Sequence, residues 1–352
     1  MTDPEKTLTD HTPTDKPETH CGTVSIVGRP NVGKSTLLNR LVGQKLSITA
    51  HKPQTTRHSI VGIKTEDNVQ IVYVDTPGIH VDGKRALNQV LNKTASSSLH
   101  DVDAVLMLVQ AMVWNDDDKR TYELVSHAAT PFYIVVNKID TVKNKTELLP
   151  FLTQLPSHEA LQDVLLIGAR SGDGVPELES RVVKHLPVAP FQFGADDLTD
   201  RSSRFLASEA VREQLTRFLS AELPYVLTVE IEQFEESPEL LRIGAVIWVE
   251  RNSQKGIIIG KGGERLKEVG SRARKSMEVL FDNKVFLQLW VRVKEGWADD
   301  ERALRSLGYE KPANEKPAKD KPAKDKPAKN KPRADKSETD LPETGKPRND
   351  KS

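Results

Sequence analysis

The chain has 352 residues with 51 basic and 51 acidic side chains, and the 289 residues between its charged ends hold 36 basic and 37 acidic groups. That balance excludes a global basic excess as the basis of nucleic-acid binding and leaves only a local patch. One cysteine, Cys21, excludes an internal disulfide or a cysteine-built metal site, and the longest apolar run, near 105–114, is too short to span a bilayer.

Residues 1–20 carry two Lys against five Asp or Glu with no apolar period, and read as a disordered extension unlike a secretory leader. A soluble, cytoplasmic protein is expected. From Thr23, apolar runs at 23–27, 59–64, 69–74, 104–109, 132–136 and 164–167 alternate with helical patterns. That rhythm predicts an α/β domain over 21–187 with a mostly parallel sheet covered on both faces. The stretch from Leu186 to Asp200, with Pro187, Pro190 and Gly194, reads as a linker, its core at 188–200. Residues 201–309 form a second, α+β domain. A helix is expected over 204–223, burying Phe205, Leu206, Leu215, Phe218 and Leu219. Two alternating strands follow, carried by Tyr225, Leu227, Val229 and Ile231 and then by Leu241, Ile243, Ala245, Ile247 and Val249. A glycine loop entered from a strand, a helix to about 281, a strand from Val285 to Val293 and a short helix at 297–307 complete an order α–β–β–loop–α–β–α. Residues 310–352 repeat Lys-Pro-Ala units and form an extended tail of net charge +4.

Gly28-Arg-Pro-Asn-Val-Gly33-Lys34-Ser35 lies between a strand and a helix, which lets backbone N–H groups of the loop surround phosphate oxygens. Lys34 reaches the β- and γ-phosphates, Ser35 ligates magnesium, and Thr36 completes the loop. Asp75-Thr-Pro-Gly78 ends a later strand, with Asp75 holding magnesium through water and Gly78 offering its N–H to a γ-phosphate. Asn137-Lys138-Ile-Asp140 supplies base recognition. The Asp140 carboxylate accepts guanine N1–H and the 2-amino group, Lys138 lies along the purine, and Asn137 braces the loop. Adenine would leave that carboxylate unpaired. GTP or GDP with Mg2+ is therefore the expected ligand set.

These motifs, in this order, resemble the translation-factor class of Ras-like GTPases, and within it the Era family of bacterial ribosome-assembly GTPases. The resemblance covers 22–309 and includes Gln54-Thr-Thr-Arg-His58, the family's first switch. By that analogy Thr56, rather than Thr55, binds magnesium and the γ-phosphate. The switches would span about 44–58 and 79–94. The last guanine motif, usually Ser-Ala-x, is Gly168-Ala169-Arg170; Ala169 can still offer its N–H to guanine O6, while the missing hydroxyl puts the loop's rigidity in question. Ile79 stands where many GTPases place a water-orienting Gln, so slow hydrolysis is expected. Relatives with Asn at position 31 hold a monovalent cation, usually K+, beside the phosphates; the alternative for Asn31 is a plain turn residue. Lys34, Thr56, Gly78 and Asn31 form the expected catalytic set.

In the second domain, Gly260-Lys261-Gly262-Gly263 has the G-x-x-G form of a K-homology clamp for single-stranded nucleic acid. Residues 251–275 carry eight basic groups against two acidic, which places Arg265, Lys267 and Arg272 beside the clamp. The resemblance implies a type II KH domain, the 3′-end region of 16S rRNA as target, and a role in 30S subunit maturation, by a monomer. A regulatory GTPase docking on protein or membrane partners is the alternative, and a small-molecule kinase is a third class that Asp140 opposes. The tail is read as a solubilising extension with a lesser attraction to RNA or to the inner face of the cell membrane, where peripheral contact is the subsidiary expectation. Leu341-Pro-Glu-Thr-Gly345 lacks the apolar segment of a wall-sorting signal. His51 and His58 are read as solvated, and Cys21 as a plain residue at a strand entrance.

Overall fold

A computed structural model describes residues 18–50, 55–78, 98–99, 101–128, 130–219, 223 and 227–297. The expectations for the N-terminal extension, His51, Gln54, Ile79 and the second switch, Tyr225, the closing helix beyond Trp297 and the repeat tail lie outside these residues. All described residues belong to one compact unit.

Six strands form the first sheet, in the order β2-β3-β1-β4-β5-β6. They are β1 (His20–Val27), β2 (Ile60–Glu66), β3 (Val69–Asp75), β4 (Ala104–Gln110), β5 (Phe132–Asn137) and β6 (Leu161–Leu166). β2 runs antiparallel to β3, and every other pairing is parallel. Along β4 the pleat sends Ala104, Leu106 and Leu108 into one core and Val105, Met107 and Val109 into the other. An apolar run without alternation is what a strand buried on both faces requires. α1 (Lys34–Val42) and α4 (Val175–Val183) cover the first face; α2 (Asp116–His127) and α3 (Leu148–Leu152) cover the second. Leu37, Leu38 and Leu41 of α1 are almost wholly excluded from water, each contributing about 1.5–3 kcal/mol. β3 and β4 leave β1 on opposite sides, so a crevice opens at the carboxyl ends of these strands.

The 188–200 stretch is stitched to the sheet edge. The buried Gln70 side chain accepts from the N–H groups of Gln192 and Phe193 at 2.8 and 3.0 Å. Ile63 N–H donates to Leu198 O at 2.9 Å, and the Thr199 hydroxyl donates to Val61 O at 2.6 Å.

Beyond it, Ser202 caps α5 (Ser203–Phe218) by accepting from Phe205 N–H. The second sheet has the order β7-β8-β9, with β7 (Leu227–Glu236) antiparallel and β9 (Val285–Val293) parallel to β8 (Leu241–Val249). α7 (Glu264–Phe281) buries Val269, Ala273 and Met277, a four-residue spacing, on that sheet.

Two expectations are corrected. The glycine loop is entered from a helix, α6 (Asn252–Ile259), not from a strand. Ile257-Ile-Ile259 has strand composition, but it has no ladder partner and buries only Ile258 fully. The Gln254 side chain accepts from Glu250 and Arg251 N–H and starts a helix there instead. The helix expected to run to 223 stops at Phe218, where Leu219 turns to extended backbone. Leu206, Leu215 and Leu219 are buried as expected, whereas Phe205 and Phe218 are half-buried.

Among the described residues no helix is long and apolar enough to cross a membrane.

Candidate functional site

The loop between β1 and α1 is shaped by close approach. A Cβ on Gly28 would strike the β4 backbone at Leu108 O, and one on Gly33 would strike the Asn137 amide. Both glycines and Asn31 have positive φ, at 149°, 109° and 64°. The left-handed backbone at Asn31 is enough by itself to favour Asn there. Lys34 is 6% exposed, and its Nζ donates to Gly28 O at 2.9 Å and Arg29 O at 3.1 Å. Burial pulls the ammonium down to about 8, with Asp75 opposing and Arg29 assisting. Arg29 is itself anchored by the buried Asp118 of α2, 3.1 Å away.

Ser35, Thr56 and Asp75 converge. The Ser35 Oγ lies 2.7 Å from both Thr56 Oγ1 and Asp75 Oδ2, and Ser47 Oγ donates to the same Oδ2 at 2.9 Å. Asp75 is fully buried, and its Oδ1 has no hydrogen-bond partner. Burial raises its carboxyl, against the pull of Lys34 and the hydroxyls. A buried carboxylate with a vacant oxygen among hydroxyls is a hard-cation donor set, and these residues fit Mg2+. Gly78 packs on Pro30 so closely that no side chain would fit.

At the other end, Asn137 Nδ2 donates to Val32 O at 2.7 Å while its Oδ1 accepts from Ala169 N–H at 2.9 Å. One amide thus ties the phosphate loop to the 168–173 loop. Lys138, at φ 68°, donates from Nζ to Gln110 Oε1 at 2.9 Å; burial lowers it, Arg29 adding. From α1, Arg40 reaches the carbonyls of Ala169 and Arg170. A cavity of about 880 Å³ runs from Ser35, Thr36 and Thr56 past Gly78 and Lys34 to Lys138, Asp140 and Ala169, a size suited to a nucleotide.

In the second domain, the G-x-x-G turn joins α6 to α7. Gly260, Gly262 and Gly263 have φ of 74°, 61° and 81°, and a Cβ on Gly262 or Gly263 would meet nothing within 4 Å. Lys261 and Lys267 are exposed. Arg265 donates to Ile257 O at 2.6 Å, closing the end of α6 behind the turn. Arg272 lies further along α7 and is exposed. It stacks 4.5 Å from the Phe218 ring and pairs with Glu268 at 2.7 Å.

The family model for a 50S ribosome-binding GTPase matches residues 23–138, and that for a KH domain matches 222–298. GTPase Era of Pseudomonas putida is 55% identical over 296 residues, which are 84% of this chain and 99% of that protein. The chain belongs to the Era GTPase family. Era of Pseudomonas aeruginosa is 55% identical over 82% of this chain and 95% of its own. A crystal structure of Era with MgGDPNP and nucleotides 1506–1542 of 16S ribosomal RNA matches with TM-score 0.80 at 37% identity, over 83% of this chain and 99% of that one. An Aquifex aeolicus Era variant bound to GDP and AlF4− matches with TM-score 0.80 at 36% identity, over the same shares. The chain thus joins a Ras-like GTPase domain to a KH domain, and the activity of the family is GTP hydrolysis.

Sequence reasoning missed how the first switch of this Era-family chain is held. Helix α5 buries a charged face against it. Arg212 donates from Nη2 to Thr55 O at 2.6 Å and grips both oxygens of Glu209 at 2.6 Å. Glu213 accepts from Lys45 Nζ and from Thr49 N–H, and Arg217 donates to Thr49 O at 3.1 Å. From the switch itself, the buried Arg57 donates to Leu227 O at 2.7 Å. His58 is half-buried rather than freely solvated, with its ring edge-on against Phe205 at 5.3 Å. Burial holds it at about 4, with Glu209 opposing and three arginines assisting. Cys21 is buried against Gln70, as a plain strand residue should be.

Proposed function

We propose that this Era-family GTPase couples its nucleotide state to capture of single-stranded RNA near the 3′ end of 16S rRNA during 30S subunit maturation. The observation that carries the reading is the grip of α5 on Thr55. The residue next to the magnesium-facing Thr56 is held by the first helix of the RNA-binding domain. A second support is the open turn at Gly262 and Gly263, where a ribose-phosphate strand can approach the backbone. The related Era structure carries the 1506–1542 segment of 16S RNA.

Within the nucleotide cavity the residues divide the work. Loop N–H groups and the Lys34 ammonium hold the phosphates, and Asp140 with the Ala169 N–H reads guanine. Bound magnesium, held by Ser35, Thr56 and, through water, Asp75, supplies positive charge at the β- and γ-phosphate oxygens. Thr56 and Gly78 sense the γ-phosphate, and its loss frees the segments around them. Intrinsic hydrolysis is slow because Ile79 has no group with which to orient water, and a monovalent cation held by Asn31 would supply part of the missing charge. The protein works as a monomer in the cytoplasm; vesicle co-sedimentation of the full chain tests for peripheral membrane contact.

Binding to a single-stranded oligonucleotide of the 16S 3′ end, measured with GDP or GDPNP bound, tests the proposal. Affinity should depend on the nucleotide and fall with salt at a slope of about −0.7 per phosphate contact. A flat salt response with no nucleotide dependence would refute it.

A further inference from the structure

The loop that carries Ala169 lacks the side chain expected at position 168, yet it is closed. Gly172 N–H donates to Gly168 O at 2.7 Å, and Gly168 N–H donates to Asp173 O at 2.9 Å. Gly168 is not demanded by its backbone, since it is absent from the positive-φ glycines, which here include Gly172 and Gly174. Space demands it instead. A Cβ at 168 would stand closer than 3.0 Å to Ser171 Oγ and 3.2 Å from Asp140 Oδ1. The Ser171 hydroxyl therefore fills the volume a side chain at 168 would occupy, beside the carboxylate that faces the base. It is fixed there, 2.8 Å from Asp173 Oδ2 and 3.2 Å from Gly168 O.

We infer that Ser171, whose hydroxyl lies in the space left by Gly168, is a positioning residue for guanine recognition: by bonding Gly168 O and Asp173 it stiffens the loop that presents the Ala169 N–H and runs beside Asp140. The inference rests on Asp140 reading the guanine edge. Asp140 is exposed to the cavity, and a Cβ on Gly168 would lie close to both its Oδ1 and the Ser171 Oγ, so the loop held by Ser171 runs beside the carboxylate, although Ser171 is itself exposed. Without those bonds the loop beside the carboxylate loosens, the Ala169 N–H and Asp140 lose their mutual alignment, and the bond to the guanine 2-amino group should suffer.

The experiment compares GDP with IDP, which lacks the 2-amino group. Ser171→Ala should lower the GDP-to-IDP affinity ratio about fivefold, an effect in the range of one weakened hydrogen bond to a charged group. Gly168→Ser alone should also lower it, because its Cβ collides with Ser171 Oγ. The double variant Gly168→Ser/Ser171→Ala should bring the ratio back to that of the unaltered protein, with one hydroxyl again beside Asp140. A purely structural role would shift the melting temperature and leave the ratio unmoved. An unchanged ratio in Ser171→Ala, or a double variant as poor as either single one, overturns the inference. Asp140→Asn, which should gain affinity for XDP, separately tests the guanine reading on which it rests.

Discussion

Arg212 sits where the two domains meet, and removing it cleanly requires care. Burial alone would raise the Glu209 carboxyl, but Arg212, by charge and by hydrogen bonds, holds it lowered. The two side chains are 3% and 4% exposed. Taking away the arginine alone would strand that carboxylate, at a cost of about 3–5 kcal/mol, with relief from the nearby Arg57. Glu209→Gln with Arg212→Met removes both charges and keeps the volume, so the fold should change little in stability. What then remains is the loss of a charged donor to Thr55 O, about 1.5–3 kcal/mol. Thr56, the next residue, faces magnesium and the γ-phosphate, so the loss should fall on the triphosphate state. Equilibrium titration with fluorescent GDPNP and GDP should show GDPNP weakened roughly tenfold to a hundredfold, and GDP by less than about twofold. Equal weakening of both nucleotides, or of neither, would refute the argument that α5 pre-organises the switch.

Further tests follow from the same geometry. Phosphate beside Lys34 favours its charged form, so the nucleotide-bound ammonium titrates above the value of about 8 in the free protein. Affinity should be flat below that pH and fall above it, by up to about tenfold per pH unit, with proton uptake on binding visible by calorimetry in two buffers. Constant affinity from about pH 7 to 9.5 would show that Lys34 is not so depressed. Gly262→Asp places an anion in the clamp, and Asp tolerates the φ of 61° there better than most residues. It should abolish RNA binding while GTP hydrolysis and melting temperature stay near those of the unaltered protein. Potassium should accelerate hydrolysis more than sodium, and Asn31→Ala should erase the difference; equal rates in both salts would remove Asn31 from the mechanism.

The nucleotide site was legible because its demands are local. Glycines at 28 and 33, a lysine and a serine must follow a strand in fixed order, and Asp75 and Asn137 each close another strand at the same sheet end. Thr56 could be preferred to Thr55 by motif alone, and its hydroxyl does face Ser35. Where partners are distant in sequence, legibility fails. Glu209, Arg212 and Glu213 look like a solvated helix face, but they are buried because residues some 160 positions earlier cover them. The same holds in part for His58, half-buried against Phe205. α6 was missed because three consecutive isoleucines outweigh one side-chain cap in a local reading.

The stitching of 188–200 along the sheet edge has a mechanical consequence. With Leu198 and Thr199 fastened to β2, Arg201 bonded to Ser59 O just before that strand, and α5 capped from Ser202, the connection between the domains has almost no slack. So short a tether allows swivelling about one pivot but no wandering. A KH domain that lets go of the switch stays within a few ångströms of it, at a very high effective concentration, and re-docks without a search.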